Sequence, residues 1–253
     1  LASGSPQGFT ETELLAENID GYRDAENRLV LCAKCPETGG GCANEFSVVP
    51  VGERPVWRDR RLVSEPCPKW AEFKTRRRLK NSDVPEFYWD SSFFAYGQPK
   101  NSARLAEVMK FSQAIAEGRR EFLVLSGPAG SGKTRLAVAL LRALVQKVPR
   151  ALLWYADVTT VRSQMKLRYD GDDESQGDPF GHARESHVLV VDNVDPAKYA
   201  KEPWVADRVG ALLRERWLGR RVTVVCTHER FADLEKAYGD IPQFSETRRC
   251  QLS

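Results

Sequence analysis

The sequence contains no apolar run approaching the roughly 18 residues that a membrane-spanning helix needs. Nor does its N-terminus have the charged, apolar and small-residue layout of a secretory signal. Six cysteines, read beside the Gly-rich loop described below, point to a reducing compartment, and the expected location is the cytoplasm. Strong charge of one sign is also missing. Lys and Arg total 38 against 35 Asp and Glu, a net charge of +3, so bulk charge says little about nucleic acid. Leu1 to Ser5 lack an initiating Met, read as an appended segment and are left out of fold reasoning. What remains is ordinary for a globular protein: 253 residues, 42% hydrophobic and 29% charged. That length allows one sizeable core plus a smaller unit.

The most informative stretch is Gly127-Pro128-Ala129-Gly130-Ser131-Gly132-Lys133-Thr134, which fits G-x-x-x-x-G-K-[ST] at every fixed position. An apolar run, Phe122 to Leu125, precedes it, and a helical pattern follows through Leu136, Ala137, Leu140, Leu141 and Leu144. Strand, loop and helix in that order are what a phosphate-binding loop requires. Its glycines let backbone N–H groups turn inward around a phosphate chain, and the helix N-terminus adds partial positive charge. Lys133 is expected to reach the β- and γ-phosphates and Thr134 to ligate Mg²⁺, with Arg135 beside them in the ATP-binding set.

Four apolar residues, Val188 to Val191, end in Asp192. A carboxylate emerging from the C-terminal end of a buried strand is placed to hold the Mg²⁺ shell. Asn193 follows, where a carboxylate commonly orients the attacking water. An amide hydrogen-bonds a water but cannot take its proton, so slow hydrolysis is expected. Asp195, two residues on, is an alternative. Further strands are read at 121–126, 151–156 and 222–226, and helices at 102–118, 158–168 and 202–218. Alternating strands and helices of these lengths predict an α/β fold, a parallel sheet covered by helices on both faces. His228 stands at the tip of the last of these strands. It reads either as a sensor of the γ-phosphate or as a surface imidazole capping the next helix.

Before the connector, composition changes. Cys32 and Cys35 form a C-x-x-C pair, followed by Cys42 and Cys67 at irregular spacing. Four thiolates suit a closed structural zinc site, with an iron–sulfur cluster or free thiols as the alternatives. A segment with few large aliphatics needs such a staple. Cys226 and Cys250 read as buried or incidental thiols. Residues 54–80 are basic with interleaved aromatics, which suits nucleic-acid phosphates or, equally, a solvated helix face. The expected organisation is a zinc-binding domain at 6–81, a linker at 82–101 and an ATPase domain at 102–253. Phe87, Tyr88, Trp89, Phe93, Phe94 and Tyr96 of the linker are expected to anchor it on the ATPase core.

In this order, the pieces resemble the DnaC/DnaI-type helicase-loader ATPases of the AAA+ superfamily. The cysteines with Cys67-Pro68-Lys69, then Val84-Pro85-Glu86-Phe87 and Ser91-Ser92-Phe93, are similar to the N-terminal part of such loaders and the lead-in to their ATPase domain. Leu213-Arg214-Glu215-Arg216-Trp217 and Val222 to His228 resemble the family's helix and its sensor strand. His228 stands where the family usually has Asn, and Asn193 where it usually has Asp or Glu. The resemblance implies an AAA+ core, ATP, Mg²⁺ and Zn²⁺, a hexameric replicative helicase bound through the N-terminal domain, single-stranded DNA, and self-association through the ATP site. It also implies an arginine given in trans, for which Arg248 and Arg249 are candidates, and a last strand with a lid helix that would be expected around and beyond Ser253. Arg162, Lys166 and Arg168, on the helix after the second strand, are the candidate DNA contacts; a solvated basic face is the alternative. Two other readings are an IstB-like transposition regulator and a zinc-containing nucleic-acid binder with a structural nucleotide site.

Overall fold

A computed structural model of the chain describes residues 21–23, 29–31, 53–58, 61–66, 68–96, 102–169, 180–238 and 248–252. Two compact units divide at Arg76 and Arg77. In the first, strands β1 (Gly21–Arg23), β2 (Leu29–Leu31), β3 (Glu53–Arg58) and β4 (Arg61–Pro66) form an antiparallel sheet in chain order. Its best-defined ladder is β3 with β4, from Glu53 opposite Pro66 to Arg58 opposite Arg61. Sequence periodicity does not announce these strands, because two have three residues and the other two set short apolar pairs among charged residues and a proline. The expected zinc ligands Cys32, Cys35, Cys42 and Cys67 lie outside the described residues.

Helix α1 (Pro68–Lys80) carries the basic run into the second unit. There the run is not a uniform solvated face. Leu79 is fully buried, and Arg78 donates to the carbonyls of Val145 and Ala151. The connector then packs Tyr88, Trp89 and Phe93 against the core, whereas Phe87 and Phe94 are 76% and 96% exposed. Of the six aromatics expected to anchor it, three do so and two do not, while the side chain of Tyr96 lies outside the described set.

The second unit is built on five parallel strands: β5 (Phe122–Ser126), β6 (Leu153–Asp157), β7 (Val188–Asp192), β8 (Val222–Thr227) and β9 (Arg248–Gln251). Their spatial order is β6-β7-β8-β5-β9. Strands β5, β7 and β8 are buried along their whole length, as continuous apolar runs in a doubly covered sheet should be. Side chains alternate between two cores. Leu123, Leu125, Val190 and Val224 face one, with helices α2 (Ser102–Ala116) and α3 (Lys133–Lys147). Phe122, Val124, Leu189 and Val225 face the other, with α4 (Val158–Tyr169) and α6 (Pro203–Leu218). Helix α3 buries Leu136, Leu140, Leu141 and Leu144 completely, each worth roughly 1.5–3 kcal/mol of transfer free energy. Short helices α5 (Gly181–Glu185) and α7 (Phe231–Ala237) complete the layer. Among the described residues no helix is long and apolar enough to cross a membrane.

The fifth strand departs from the sequence reading, which found four. Strand β9 pairs in parallel with β5 from Leu123 opposite Arg248 to Ser126 opposite Gln251. An edge strand of two arginines, one buried cysteine and a glutamine has too little apolar alternation to read as a strand. Tertiary pairing makes it one.

Candidate nucleotide site

Because β8 lies between β7 and β5, the C-terminal tips of three adjacent strands bring together the phosphate-binding loop, Asp192 and His228. The loop joins β5 to α3. Gly130 and Gly132 adopt left-handed backbone, with φ of 77° and 89°, and Gly132 is the N-cap of α3. At Gly127 the requirement is space: a Cβ there would lie 2.3 Å from the Leu252 carbonyl oxygen, behind β9. The Gly127 N–H donates to the Thr227 carbonyl at 3.3 Å, tying the loop's first residue to the tip of β8.

Lys133 is 5% exposed, and its Nζ donates to the carbonyls of Gly127 and Pro128, each at 2.8 Å, and to Ser131 Oγ at 3.4 Å. Every hydrogen-bond partner of this ammonium is a neutral oxygen. Burial lowers its pKa, with Asp192 and Asp195 acting in the opposite sense. A buried cation so placed, at a helix N-terminus whose first amides have no intrahelical acceptor, fits an anionic phosphate chain. Pro128, Ala129 and Ser131 line the same turn. Arg135 projects its guanidinium over the exposed Phe87 ring, 5.6 Å from its centre.

The Mg²⁺ candidates meet directly. Thr134 Oγ1 donates to Asp192 Oδ2 at 2.7 Å. The same oxygen accepts the Tyr155 hydroxyl at 2.7 Å, while Oδ1 accepts the Asn193 N–H at 2.9 Å. Burial, followed by the Asp192 charge, pushes the Tyr155 phenol far up, so it remains a donor. Thr134 would supply an oxygen ligand and Asp192 a carboxylate for the hydration shell of an ion bound here, a donor set that suits Mg²⁺. Bound there with ATP, the ion would neutralise charge on the β- and γ-phosphates.

Asn193, the candidate water-orienting residue, is tied to the tip of the neighbouring strand β6. It adopts left-handed backbone, φ 59°, and its Nδ2 donates to Asp157 Oδ2 at 2.9 Å. Asp157 in turn caps α4, accepting from the N–H groups of Thr159 and Thr160. Asp195, 5% exposed, holds the tip of β8. It accepts from Thr227 Oγ1 at 3.2 Å, from the His228 N–H at 2.6 Å and from His228 Nδ1 at 2.7 Å. An ionised carboxylate only accepts, so Nδ1 carries the proton and Nε2 is left for another partner. The imidazole is therefore an oriented group and not a helix cap. Tyr155 and Asp157 were not singled out in the sequence, although a carboxylate ending a second buried strand was a signal for Asp157.

The remaining candidates lie elsewhere. Arg162 and Lys166, on α4, both pair with Glu202 at the start of α6. Arg168 lies on the same helix, and its side chain is outside the described set. Arg248 is paired with Glu121 at 2.5 Å, and Arg249 with Glu235. Both arginines sit on β9, on the sheet edge beside the loop strand.

This sheet order, with loop, carboxylate and polar tip on three neighbouring strands, is that of a P-loop α/β fold. A family model described as the AAA domain, dynein-related subfamily, matches residues 122–225. No curated protein matches the chain by sequence. Among solved structures the chain is similar to one of the DnaC helicase loader, at 19% identity and TM-score 0.56, over 67% of this chain and all of that one. A structure of the replication initiator DnaA bound to AMPPCP and single-stranded DNA is similar at 10% identity and TM-score 0.54, over 68% of this chain and 51% of that one. A DnaI structure is similar at 16% identity and TM-score 0.51, over 68% of this chain and 92% of that one. The resemblance read from sequence motifs thus holds at the level of fold.

Proposed function

We propose that this protein is an ATP-dependent loader of a hexameric replicative helicase, in which ATP acts as a slow assembly switch. The observation that carries this reading is the pairing of an intact nucleotide-binding set with a disarmed water-activating position. Lys133, Thr134 and Asp192 stand ready for Mg-ATP, while Asn193 is bound to Asp157 and has no proton-accepting group. Such a site holds nucleotide longer than it turns it over, which suits a protein that signals its bound state to a neighbour. The likeness to DnaC and DnaI folds supports the replication setting.

In this reading the N-terminal domain, residues 6–81, contacts the helicase, and Cys32, Cys35, Cys42 and Cys67 hold one structural zinc. The ATPase domain engages single-stranded DNA through Arg162, Lys166 and Arg168, and self-associates with Arg248 or Arg249 completing a neighbour's site. Because Arg162 and Lys166 are held by Glu202, DNA would have to compete with that carboxylate.

Co-purification of the full chain with a hexameric replicative helicase, with and without ATP, tests the proposal. ATP-dependent capture is expected. In Lys133→Ala, ATP affinity should fall about 10–100-fold and the ATP dependence of capture should disappear. Failure to retain the helicase in either nucleotide state would overturn the loader reading. Metal analysis of the same preparation should return zinc that Cys32→Ser removes.

A further inference from the structure

The N-terminal ends of the parallel strands, opposite the nucleotide site, carry a row of basic residues, five arginines and one histidine. Arg119 and Arg120 precede β5, Arg150 precedes β6, His187 precedes β7, and Arg220 and Arg221 precede β8. In the sheet order β6-β7-β8-β5 these positions cross four adjacent strands, a span of about 14 Å at the usual strand spacing. Three cavities, of about 440, 450 and 370 Å³, lie along this edge. The first is lined by Arg119, Arg120, His187, Arg220 and Arg221. It shares Gly219 and Arg221 with the second, and Ala151 and Ser186 with the third. They form one continuous trough.

Little of this charge is neutralised. Glu185 faces all three cavities, Glu117 pairs with Arg119 at 3.2 Å, and Glu215 with Arg184 at 2.7 Å. The side chains of Arg120, Arg150 and Arg220 make no hydrogen bond or ion pair to a described residue. Arg220 is also conformationally unusual. It follows the C-terminus of α6 with φ 47°, a left-handed position that favours glycine or asparagine. Backbone strain kept under an exposed, unpaired guanidinium is a mark of a functional position.

We propose that this trough is a docking surface for an acidic, leucine-bearing peptide segment of a partner protein. Guanidinium forks fit carboxylates and phosphates alike, so the apolar groups beside them decide between occupants. Leu152, 60% exposed, lines the third cavity, and Leu218, 73% exposed, immediately precedes Gly219. Single-stranded nucleic acid would want exposed aromatic platforms for its bases. The aromatics at this end are already engaged: Trp154 stacks on His182 and Trp217 packs edge-on against Phe122. Exposed leucines among arginines instead match acidic residues interspersed with aliphatic ones. A partner docked here leaves the opposite strand tips, and hence the nucleotide, accessible.

Fluorescence anisotropy of the full chain with a labelled Glu- and Leu-rich peptide tests this surface, with oligothymidine as the competing probe. Peptide binding should weaken with salt, and Arg120→Glu/Arg220→Glu should reduce it about tenfold or more while ATP binding stays unchanged. Arg220→Gly should weaken peptide binding yet raise Tm by about 2–4 °C through relief of the left-handed backbone, which separates lost contact from lost folding. Equal peptide affinity in the double variant would overturn the proposal. So would oligothymidine binding more tightly than the peptide and being lost in that variant, because the trough would then be a nucleic-acid surface.

Discussion

Asp195 shows how a single carboxylate arranges a site whose chemistry belongs to its neighbours. It accepts the Thr227 hydroxyl and both the backbone N–H and Nδ1–H of His228, so it sets the direction of the imidazole at the tip of β8. Replacing it by asparagine keeps the volume but puts an amide donor against groups that already donate. For Asp195→Asn the expected outcome is an ATP affinity within about threefold of wild type and a hydrolysis rate lower by about 10–100-fold, since the change would reorient His228, the candidate sensor of the γ-phosphate, but not the binding loop. Equilibrium binding of a fluorescent ATP analogue and single-turnover hydrolysis separate the two effects. Equal losses in both would mean that Asp195 is only structural.

Among the secondary-structure elements, α6 depends on one buried arginine. Arg216 is 1% exposed and reaches no carboxylate; it donates to the carbonyls of Ala183, Ser186 and Val222 and to Thr223 Oγ1. Burial, with some help from nearby Arg221, lowers its pKa to about 9. The guanidinium thus fastens α6, α5 with its C-cap Ser186, and the first residues of β8 to one another. Arg216→Ala would leave these oxygens unsatisfied in the core, and urea denaturation should show a loss of roughly 3–5 kcal/mol. A loss below about 1 kcal/mol would mean that water or a neighbouring group replaces the lost donors. The same arginine occurs in the helix that prompted the family resemblance, where the sequence shows its position but not its burial.

At the scale of the whole molecule, Glu202 ties α4 to the start of α6. The Arg162 guanidinium, and then Lys166, hold its carboxyl at about 2, down from 4.5. A carboxyl whose folded pKa is depressed contributes stability that is present above pH 4.5 and is lost as pH falls from 4.5 towards 2. In Glu202→Gln the acid limb of the stability curve should therefore flatten across that window, as followed by circular dichroism. An unchanged limb would mean that the pair contributes nothing to folding. If α4 faces DNA, the same variant frees Arg162 and Lys166 and should tighten salt-sensitive oligothymidine binding.

Local chemistry was legible in the sequence wherever neighbours along the chain carry it. The loop from Gly127 to Thr134, the apolar run ending in Asp192 and the alternation of strands with helices all follow from spacing and hydrophobic period. They sufficed for a P-loop α/β fold, and they name its candidate nucleotide residues. Only tertiary structure could decide contacts between residues distant in sequence. It paired Arg248–Gln251 with β5 as a fifth strand despite a charged sequence, turned Asn193 onto Asp157, and oriented His228 with Asp195. It also closed Gly127 against Leu252 and gathered arginines from separate turns along one edge of the sheet. Strand order accounts for these outcomes, because it decides which tips become neighbours, and local periodicity carries no record of that order.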